Sequence, residues 1–183
     1  MIIGLSGYAR SGKDEVAKIL VEDYGYTRIA FADKIRELLL ETNPQVKDGF
    51  RVESVVRAYG WDQAKVLFPE IRDLLQRLGL GARQTFGELF WIEQALNFVH
   101  PLDHVVNKYV VTDVRFVNEA DKIKSMDGQI WRIKRPGIEP VNGHMSERDM
   151  DGYQVDKILK NEGTLEDLRA LVRSRMEFTL NAN

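Results

Sequence analysis

Residues 7–14 are Gly7-Tyr-Ala-Arg-Ser-Gly-Lys-Asp14, a loop that follows the apolar run Ile2–Ser6 and opens the amphipathic run Lys13–Tyr24. The first run is typical of a buried strand and the second of a helix. In such a loop, backbone N–H groups and the positive end of the helix converge on an anion, and glycines let the backbone approach phosphates closely. The spacing G-x-x-x-x-G-K therefore predicts a phosphate-binding loop in which Lys13 reaches the outer phosphates, rather than an ordinary strand–turn–helix corner.

One position of this loop departs from its usual form. Asp14 stands where Ser or Thr normally offers a hydroxyl group to Mg²⁺. A carboxylate is a stronger metal ligand than a hydroxyl, so we expect Asp14 to lie near Mg²⁺, directly or through water. The alternative is a first-turn aspartate that only stabilises the helix through its dipole.

The composition indicates one ordinary globular domain. The chain has 183 residues, and its 26 lysines and arginines nearly balance 28 aspartates and glutamates. We therefore expect no general attraction to nucleic acid or to membranes. Cysteine is absent, which excludes disulfides and thiolate metal sites, and no apolar run approaches the ~20 residues of a membrane helix. Because the first predicted strand begins at residue 2, we expect no signal peptide and a cytoplasmic protein.

Strand and helix patterns alternate along most of the chain. The strand candidates are Ile2–Ser6, Thr27–Ala32, Lys108–Val114, Gln129–Lys134 and Val155–Lys160. The helical patterns are Lys13–Tyr24, Asp33–Glu41, Glu70–Leu78, Phe86–His100, Val117–Ser125 and Leu165–Phe178. This alternation predicts an α/β fold of three layers, with helices on both faces of a five-stranded parallel sheet. Thr164 and Asp167 are a predicted capping pair for the last helix.

The domain organisation is predicted to be a single domain, 1–183, with one insertion. The stretch 43–103 breaks the alternation, because it holds no convincing strand and reads as mostly helical. We therefore assign the core to 1–32 and 104–183, and a helical insertion to 33–103.

A basic segment after the fourth strand, at about 132–150, is punctuated by Pro136-Gly137 and Gly143. Such a segment is suited to a short lid that closes over phosphates and excludes water. A solvated basic loop is the alternative. The basic residues of this segment are Arg132, Lys134, Arg135, His144 and Arg148.

A second motif follows the third predicted strand. The strand ends in Asp113, as in a Walker B element, whose carboxylate supports Mg²⁺ or the attacking group. Arg115 follows directly, at the carboxyl end of the sheet, where open α/β folds bind their ligands. The alternative is a strand end followed by a capped helix, with Arg115 and Glu119 as a solvated ion pair.

The loop and the run Thr112-Asp-Val-Arg-Phe-Val-Asn-Glu119 together resemble the phage-type deoxynucleoside monophosphate kinases, a P-loop family, including the unusual Asp14. The resemblance extends over almost the whole chain. The sequence departs from the family pattern at Glu15, which replaces a common Thr, and at Leu80-Gly81, which replaces a Thr-Glu pair in the substrate region. Further matching segments are Phe31–Arg36, Asn43-Pro44, Tyr59–Lys65, Ile71–Gly79, Arg83, Phe90-Trp91 and Asn161–Leu168.

This resemblance implies a P-loop kinase fold with a helical acceptor-binding insertion and a short lid. It implies transfer of the ATP γ-phosphoryl group, with Mg²⁺, to the 5′-phosphate of a deoxynucleoside monophosphate. The partners implied are small nucleotides, not nucleic acid or a membrane, and the location is the host cytosol if the gene belongs to a phage. Whether the chain forms a homodimer stays open.

The resemblance also assigns site residues. The catalytic residues it implies are Lys13, Asp14, Asp113, Arg115, Arg132 and Arg135. Those implied to bind ATP are Gly7, Ala9, Arg10, Ser11, Gly12, Lys13, Asp14, Glu15, Arg132, Asn161 and Gly163. Those implied to bind the acceptor are Asp33, Arg36, Arg72, Gln76, Arg83, Trp91, Arg115 and Glu119. The metal is assigned to Asp14 and Asp113, directly or through water.

The residues support this chemistry independently. Phosphoryl transfer mainly needs charge and positioning, and arginines can clamp the acceptor phosphate in a bidentate way. Gln76 suits the edge of a base, and Trp91 suits stacking, although solvated and core positions are their alternatives.

Three other functions compete with this interpretation. A P-loop kinase for dephospho-coenzyme A or a sugar acid shares the loop, but Asp33, Gln76 and the run after Asp113 favour a nucleotide acceptor. A GTP-dependent switch would need Asp-x-x-Gly after the third strand, where Phe116 holds the glycine position. A non-catalytic nucleotide-binding module is the third, and the presence of Lys13 and Asp113 argues against it.

Overall fold

The computed structural model describes residues 1–96, 107–139 and 148–180 of the chain. Contacts between Cα atoms divide it into two units. The first unit comprises Met1–Ala30 and Asn97–Asn183, and the second comprises Phe31–Leu96. The second unit is therefore inserted, in sequence, between the two segments of the first.

The described elements of the first unit alternate between strands and helices. Its strands are β1 (Ile2–Ser6), β2 (Thr27–Ile29), β3 (Tyr109–Val111), β4 (Gln129–Lys134) and β5 (Lys157–Lys160). Its helices are α1 (Lys13–Tyr24), α6 (Val117–Ser125) and α7 (Leu165–Leu180). The second unit is helical, with α2 (Phe31–Thr42), α3 (Val52–Leu67), α4 (Pro69–Phe86), α5 (Phe90–Leu96) and a 3₁₀ turn at Lys47–Gly49.

The strands form one five-stranded sheet in the order β2-β3-β1-β4-β5, and every pairing is parallel. The central strand β1 is buried along its whole length, as its uninterrupted apolar sequence predicts. Its register places Ile3 beside Val110 of β3 and Leu5 beside Trp131 of β4. The predicted five-stranded parallel α/β sheet is therefore confirmed.

Helices cover both faces of this sheet. Ile3 and Leu5 belong to an apolar core with residues of α1 and α7, such as Val16 and Val172. Successive side chains of a strand point to opposite faces, so Gly4 lies on the other side. A Cβ atom at Gly4 would lie 2.8 Å from the Cδ1 atom of Ile123 in α6. The first unit therefore has three layers, α1 and α7, the sheet, and α6.

Local sequence signals explain where α1 and α7 begin and end. Gly25 adopts the left-handed conformation (φ 69°) that ends α1, and its N–H donates to carbonyls of the last turn. At the start of α7, the Asp167 carboxylate accepts the Thr164 N–H at 2.8 Å, and the Asp167 N–H donates to the Thr164 hydroxyl at 3.2 Å. The Thr164 hydroxyl also donates to the Asp167 carboxylate at 2.7 Å. These hydrogen bonds confirm the predicted capping pair.

The second unit has its own apolar core. Leu39 of α2, Val52 and Val55 of α3, and Ile71 of α4 are buried together. Within α3, Gly60 has a non-helical backbone (φ 71°, ψ 164°), which bends the helix. These helices confirm that the described part of the stretch 43–103 is mostly helical, and residues 97–103 lie outside the described residues.

Several predicted boundaries hold and others shift. β1, α1, α6 and β4 begin and end where the sequence predicts. The start of the helix predicted at Phe86–His100 is wrong. Phe86 is the last residue of α4, and Gly87, with a positive φ of 108°, separates α4 from α5. The strand predicted at Thr27–Ala32 stops at Ile29, because Phe31 already begins α2. The end of the predicted 86–100 helix lies outside the described residues.

No helix in the described ranges is both long enough and apolar enough to cross a membrane.

Candidate functional site

The sheet order places the loop 7–12 at a point where the strand order reverses. β1 lies between β3 and β4: the connection after β1 runs to β2 on one side, and the connection after β3 passes β1 to reach β4 on the other side. Open parallel sheets bind ligands at this position, outside the carboxyl ends of the strands. The loop also leads directly into the N-terminus of α1, which carries a partial positive charge.

The loop needs glycine at both ends. Gly7 has φ 136°, and a Cβ atom there would lie 2.3 Å from the carbonyl oxygen of Ile133. Gly12 has φ 103°, and a Cβ atom there would lie 2.4 Å from Nδ2 of Asn161. Both positions combine a backbone conformation that L residues rarely adopt with no room for a side chain. The predicted glycine-bounded turn is therefore confirmed in its conformation.

Asn161 holds the second half of the loop. Its side chain is buried, and its Nδ2 donates to the carbonyl of Ser11 at 3.0 Å. Its own N–H donates to the carbonyl of Lys134 at 2.7 Å, at the ends of β4 and β5. Asn161 therefore links the loop to the sheet edge. Next to it, Gly163 is exposed and makes room for the Asp167 cap.

Two polar side chains of the loop, those of Lys13 and Ser11, line the cavity next to it. The Lys13 ammonium donates to the carbonyls of Gly7 and Tyr8 at 2.8 and 2.7 Å. The Ser11 hydroxyl is buried and has no hydrogen-bond partner among the described residues. Because buried hydroxyls are normally paired, a ligand oxygen would complete the environment of Ser11.

A cavity of about 400 Å³ opens above this loop, and all of its lining comes from the first unit. It is bounded by the loop, by the residues after β3, by the end of β4 and by a short stretch before β5. Basic side chains outnumber acidic ones around it, which suits a phosphate-bearing ligand. The lining residues are Ser6, Gly7, Tyr8, Ala9, Ser11, Lys13, Val114, Arg115, Arg132, Ile133, Lys134, Arg135, Ile138, Glu139, Met150 and Asp151.

Residues 148–153, which we call the strap, border this cavity and are tied to it by Arg132. The half-buried guanidinium of Arg132 donates to the carbonyl of Asp151 at 3.1 Å, to that of Tyr153 at 3.3 Å, and to that of Met150. Charged donors make stronger hydrogen bonds than neutral ones, so Arg132 fixes the path of the strap. A role for Arg132 on the phosphates stays a prediction.

The structure describes only some of the other residues of the predicted lid, 132–150. Residues 132–134 of the predicted range form the end of β4, and Arg135 starts an exposed turn that contains Gly137 (φ 73°). Residues 140–147, including His144, lie outside the described residues. Closure of a lid stays a prediction.

The second motif lies at the same edge of the sheet. Asp113 is half-buried and follows β3 by two residues. The Glu119 carboxylate is buried and accepts the N–H groups of Arg115 and Phe116 at 2.7 and 3.0 Å. Glu119 therefore fixes the backbone of Arg115, whose exposed side chain borders the cavity. A direct contact of Glu119 with a substrate stays a prediction.

The donor set at this edge suits Mg²⁺ held mainly by a nucleotide. Among the residues that the structure describes, no group of three or more histidine, cysteine, aspartate or glutamate side chains is placed to hold a metal ion. Mg²⁺ usually needs only one or two carboxylates, with phosphate oxygens and water completing its octahedron. The exposed Asp14 and the half-buried Asp113 supply ligands of the right chemistry.

The predicted acceptor residues of the second unit are carried by α2, α4 and α5. On α2, Asp33 pairs with Arg36 at 2.9 Å, and the Arg36 guanidinium lies 5.6 Å from the centroid of the Trp61 ring. On α4, the spacing of Arg72, Gln76 and Arg83 places these three residues on one helical face.

Trp91 is a core residue of the second unit. It is buried, its indole N–H donates to the carbonyl of Gly79 at 2.9 Å, and its ring packs edge-on against Phe90. These contacts favour the core-packing alternative over stacking on a base.

Sequence reasoning missed several residues of the cavity. Tyr8 lies inside the loop motif, but the motif specifies only its glycines and its lysine. Its hydroxyl donates to the Asp151 carboxylate at 2.8 Å, a contact between residues far apart in the chain. This hydrogen bond is the main reason why the pKa of Tyr8 is raised above its usual value. No local pattern marks Asp151.

The chain is similar to proteins named for one activity. A model of the family described as deoxynucleotide monophosphate kinase matches residues 68–172. A protein of Acanthamoeba polyphaga mimivirus that carries this name is 30% identical over 188 residues, covering 95% of this chain and 95% of the relative. The deoxynucleotide monophosphate kinase of Escherichia phage RB69 is 31% identical over 100 residues, covering 54% of this chain and 41% of the phage protein.

Similar solved structures identify the fold of this chain. Shikimate kinase from Aquifex aeolicus matches with a TM-score of 0.50 and 14% identity, covering all of both chains. Dephospho-CoA kinase from Campylobacter jejuni matches with a TM-score of 0.51 and 16% identity, covering 96% of this chain and 95% of the other. At such low identity, these likenesses confirm the predicted kinase fold and do not identify the acceptor.

Proposed function

The chain belongs to the deoxynucleotide monophosphate kinase family, and on that basis we propose how its residues phosphorylate a deoxynucleotide. It is a nucleoside monophosphate kinase that transfers the γ-phosphoryl group of ATP to the 5′-phosphate of a deoxynucleoside monophosphate. An acceptor phosphate oxygen forms a bond to the γ-phosphorus while the bond to the bridging β–γ oxygen breaks. The products are a deoxynucleoside diphosphate and ADP.

The observation that carries this proposal is the loop 7–13. Its two positive-φ glycines leave no room for side chains, and its buried Ser11 hydroxyl has no partner among the described residues. Such a loop presents backbone N–H groups to an anion at a helix N-terminus. We assign the β- and γ-phosphates of ATP to it, and the acceptor phosphate to the neighbouring part of the cavity that Arg115 borders.

Lys13 and Arg115 have different roles in this proposal. Lys13 leaves the carbonyls of Gly7 and Tyr8 and turns to the outer phosphates, where it balances the charge that develops on the transferred group. Arg115 holds the acceptor phosphate with two parallel hydrogen bonds, since a guanidinium matches phosphate geometry. Glu119 keeps the Arg115 backbone in place through the two N–H groups that it accepts.

Mg²⁺, when bound with ATP, neutralises phosphate charge and orients the β- and γ-phosphates. Asp14, in the first turn of α1, and Asp113, after β3, are the residues that would hold it. Their carboxylates act directly or through metal-bound water.

The proposed function is tested by incubating the purified chain with Mg²⁺ and ATP and, in turn, each common ribonucleoside and deoxynucleoside monophosphate. We expect ADP release that depends on a deoxynucleotide, with the matching diphosphate identified by chromatography. ADP release that is equal without an acceptor would contradict the proposal. So would transfer to dephospho-coenzyme A or shikimate with no transfer to a nucleotide.

We expect the variant Asp14→Asn to need more Mg²⁺. The amide keeps the size of the side chain but removes one of the two carboxylates proposed for the metal. The Mg²⁺ concentration for half-maximal rate should rise about tenfold or more, and kcat should fall. The melting temperature should hardly move, because a first-turn carboxylate contributes only ~0.3–1 kcal/mol to a helix.

The matched control is Glu166→Gln, which removes an exposed first-turn carboxylate of α7 that does not line the cavity. Its Mg²⁺ dependence should equal that of the wild type. If Asp14→Asn also keeps the wild-type Mg²⁺ dependence and kcat, Asp14 only stabilises the helix.

We expect the variant Arg115→Lys to lose acceptor affinity selectively. Lysine keeps the charge but not the planar fork, so the KM for the deoxynucleotide should rise tenfold or more, which corresponds to about 1.4 kcal/mol. The KM for ATP should change little. Steady-state kinetics with each substrate varied in turn measures both KM values. The control is Arg173→Lys, because Arg173 is exposed on α7. Loss of ATP affinity with unchanged acceptor affinity would show that Arg115 binds ATP and not the acceptor.

A further inference from the structure

A side-chain hydrogen bond joins the first half of the phosphate loop to the strap. The Tyr8 hydroxyl donates to Oδ1 of Asp151 at 2.8 Å. Tyr8 and Asp151 both line the cavity, but neither carries a positive charge for phosphates. Their contact therefore calls for an explanation other than direct attraction of the ligand.

The described contacts of this half of the loop depend largely on Lys13. The Lys13 ammonium holds the carbonyls of Gly7 and Tyr8 at 2.8 and 2.7 Å, and the Ser11 N–H donates to the Tyr8 carbonyl at 3.2 Å. If Lys13 turns to the phosphates of ATP, it gives up both carbonyls. The second half of the loop keeps its hydrogen bond from Asn161 to Ser11, which does not involve Lys13.

The strap is a fixed support for Tyr8. Arg132 binds three of its carbonyls, and the Asp149 carboxylate accepts the Val117 N–H at the start of α6 at 2.8 Å. The hydroxyl of Tyr153 donates to Asp121 of α6 at 2.9 Å. Met150, between these anchors, is buried. The position of Asp151 is therefore set by the core of the first unit and not by the loop.

We propose that Tyr8 and Asp151 are a positioning pair that holds the first half of the phosphate loop in its binding conformation after Lys13 has turned to the nucleotide. The inference rests on the proposed function, because it assumes that the loop receives the outer phosphates. Neither residue touches the transferred group. Their hydrogen bond keeps the backbone N–H groups of the loop directed at the phosphates while Lys13 is engaged there.

The test measures ADP binding to the full chain by calorimetry, together with the KM for ATP and for the deoxynucleotide. Tyr8→Phe and Asp151→Ala each remove the hydrogen bond and should each weaken ADP binding and raise the KM for ATP about 5- to 20-fold. The deoxynucleotide KM should change less than about twofold. The double variant should be no worse than either single variant, because both remove the same contact. Asp151→Asn keeps an acceptor oxygen for Tyr8 and should restore most of the affinity that Asp151→Ala loses.

The matched control is Tyr153→Phe, which removes a tyrosine-to-aspartate hydrogen bond from the same strap without touching the loop. Arg132 and Asp149 still hold the strap in this variant, so ADP affinity and both KM values should change less than about twofold. Effects of Tyr8→Phe and Asp151→Ala that add in the double variant would overturn the pair, as would ADP affinity unchanged in both. An equal loss in Tyr153→Phe would mean that general loosening of the strap is responsible. Because ADP binding is measured without turnover, these outcomes remain readable even if the wild type forms no deoxynucleoside diphosphate.

Discussion

The variant Lys13→Ala should fold normally and lose nearly all phosphoryl transfer. Its ammonium is the proposed partner of the outer phosphates as charge moves from the γ-phosphoryl group to ADP. Removal of such a group should raise the barrier by roughly 3–5 kcal/mol, which lowers kcat by about 10²- to 10⁴-fold. The measurement is single-turnover transfer at saturating ATP and deoxynucleotide, beside a circular dichroism melt.

The control for this variant is Lys18→Ala, one turn further along α1. Lys18 is exposed, and its ion pair within the described part of the chain is a long contact of 3.9 Å with Glu22. Exposed pairs of this kind contribute little, so both stability and rate should stay near those of the wild type. A folded Lys13→Ala protein with near-normal kcat would show that the loop does not serve phosphoryl transfer.

The variant Gly7→Ala should damage the fold and the site together. The new methyl group would lie 2.3 Å from the Ile133 carbonyl oxygen, which is fixed in β4, at a φ of 136°. An unfavourable backbone conformation costs about 1–3 kcal/mol and an overpacked position a further 1–3 kcal/mol, so we expect a loss of about 2–6 kcal/mol in the free energy of unfolding. Displacement of the loop by even 1 Å should also lower kcat/KM for ATP by roughly 10²-fold or more. Urea denaturation and steady-state kinetics measure the two effects.

Gly25→Ala separates backbone conformation from crowding. Gly25 also has a positive φ (69°), but nothing lies within 4 Å of the added methyl group. We expect this variant to lose only about 1–2 kcal/mol of stability and to keep its activity. An equal loss of stability in Gly7→Ala and Gly25→Ala would mean that β4 shifts away from the added methyl group at little cost in free energy.

The sequence predicts the parts of this protein that depend on local chemistry. The uninterrupted apolar run of β1, the glycine-bounded loop and the Thr164–Asp167 cap all follow from neighbouring residues, and all are present. The break after Phe86 was harder to predict, since Gly87 stands among residues with good helical spacing. Its positive φ decides against a continuous helix.

The residues that hold the loop in place could not be predicted in the same way. The family resemblance implies that Asn161 binds ATP, which stays a prediction, but nothing in the sequence indicates that its side chain donates to the Ser11 carbonyl. For Glu119 the sequence predicts acceptor binding, with a solvated ion pair to Arg115 as the alternative, and it does not indicate that the carboxylate accepts the backbone N–H of Arg115. Such contacts depend on where distant strands end, and residue type alone does not specify which of several donors a side chain meets.

The order in which a ribosome makes this chain gives the hydrogen bond between Asn161 and Ser11 a further consequence. The loop is synthesised before the whole second unit, whereas β3 and β4, which flank β1, come after that unit, and Asn161 lies 150 residues after Ser11. A nascent chain that ends before β5 therefore carries the complete loop motif without the residue that clamps it. We therefore expect nucleotide binding by the loop to begin only after β5 and Asn161 have been made, because a shorter nascent chain lacks the residue that fixes the loop.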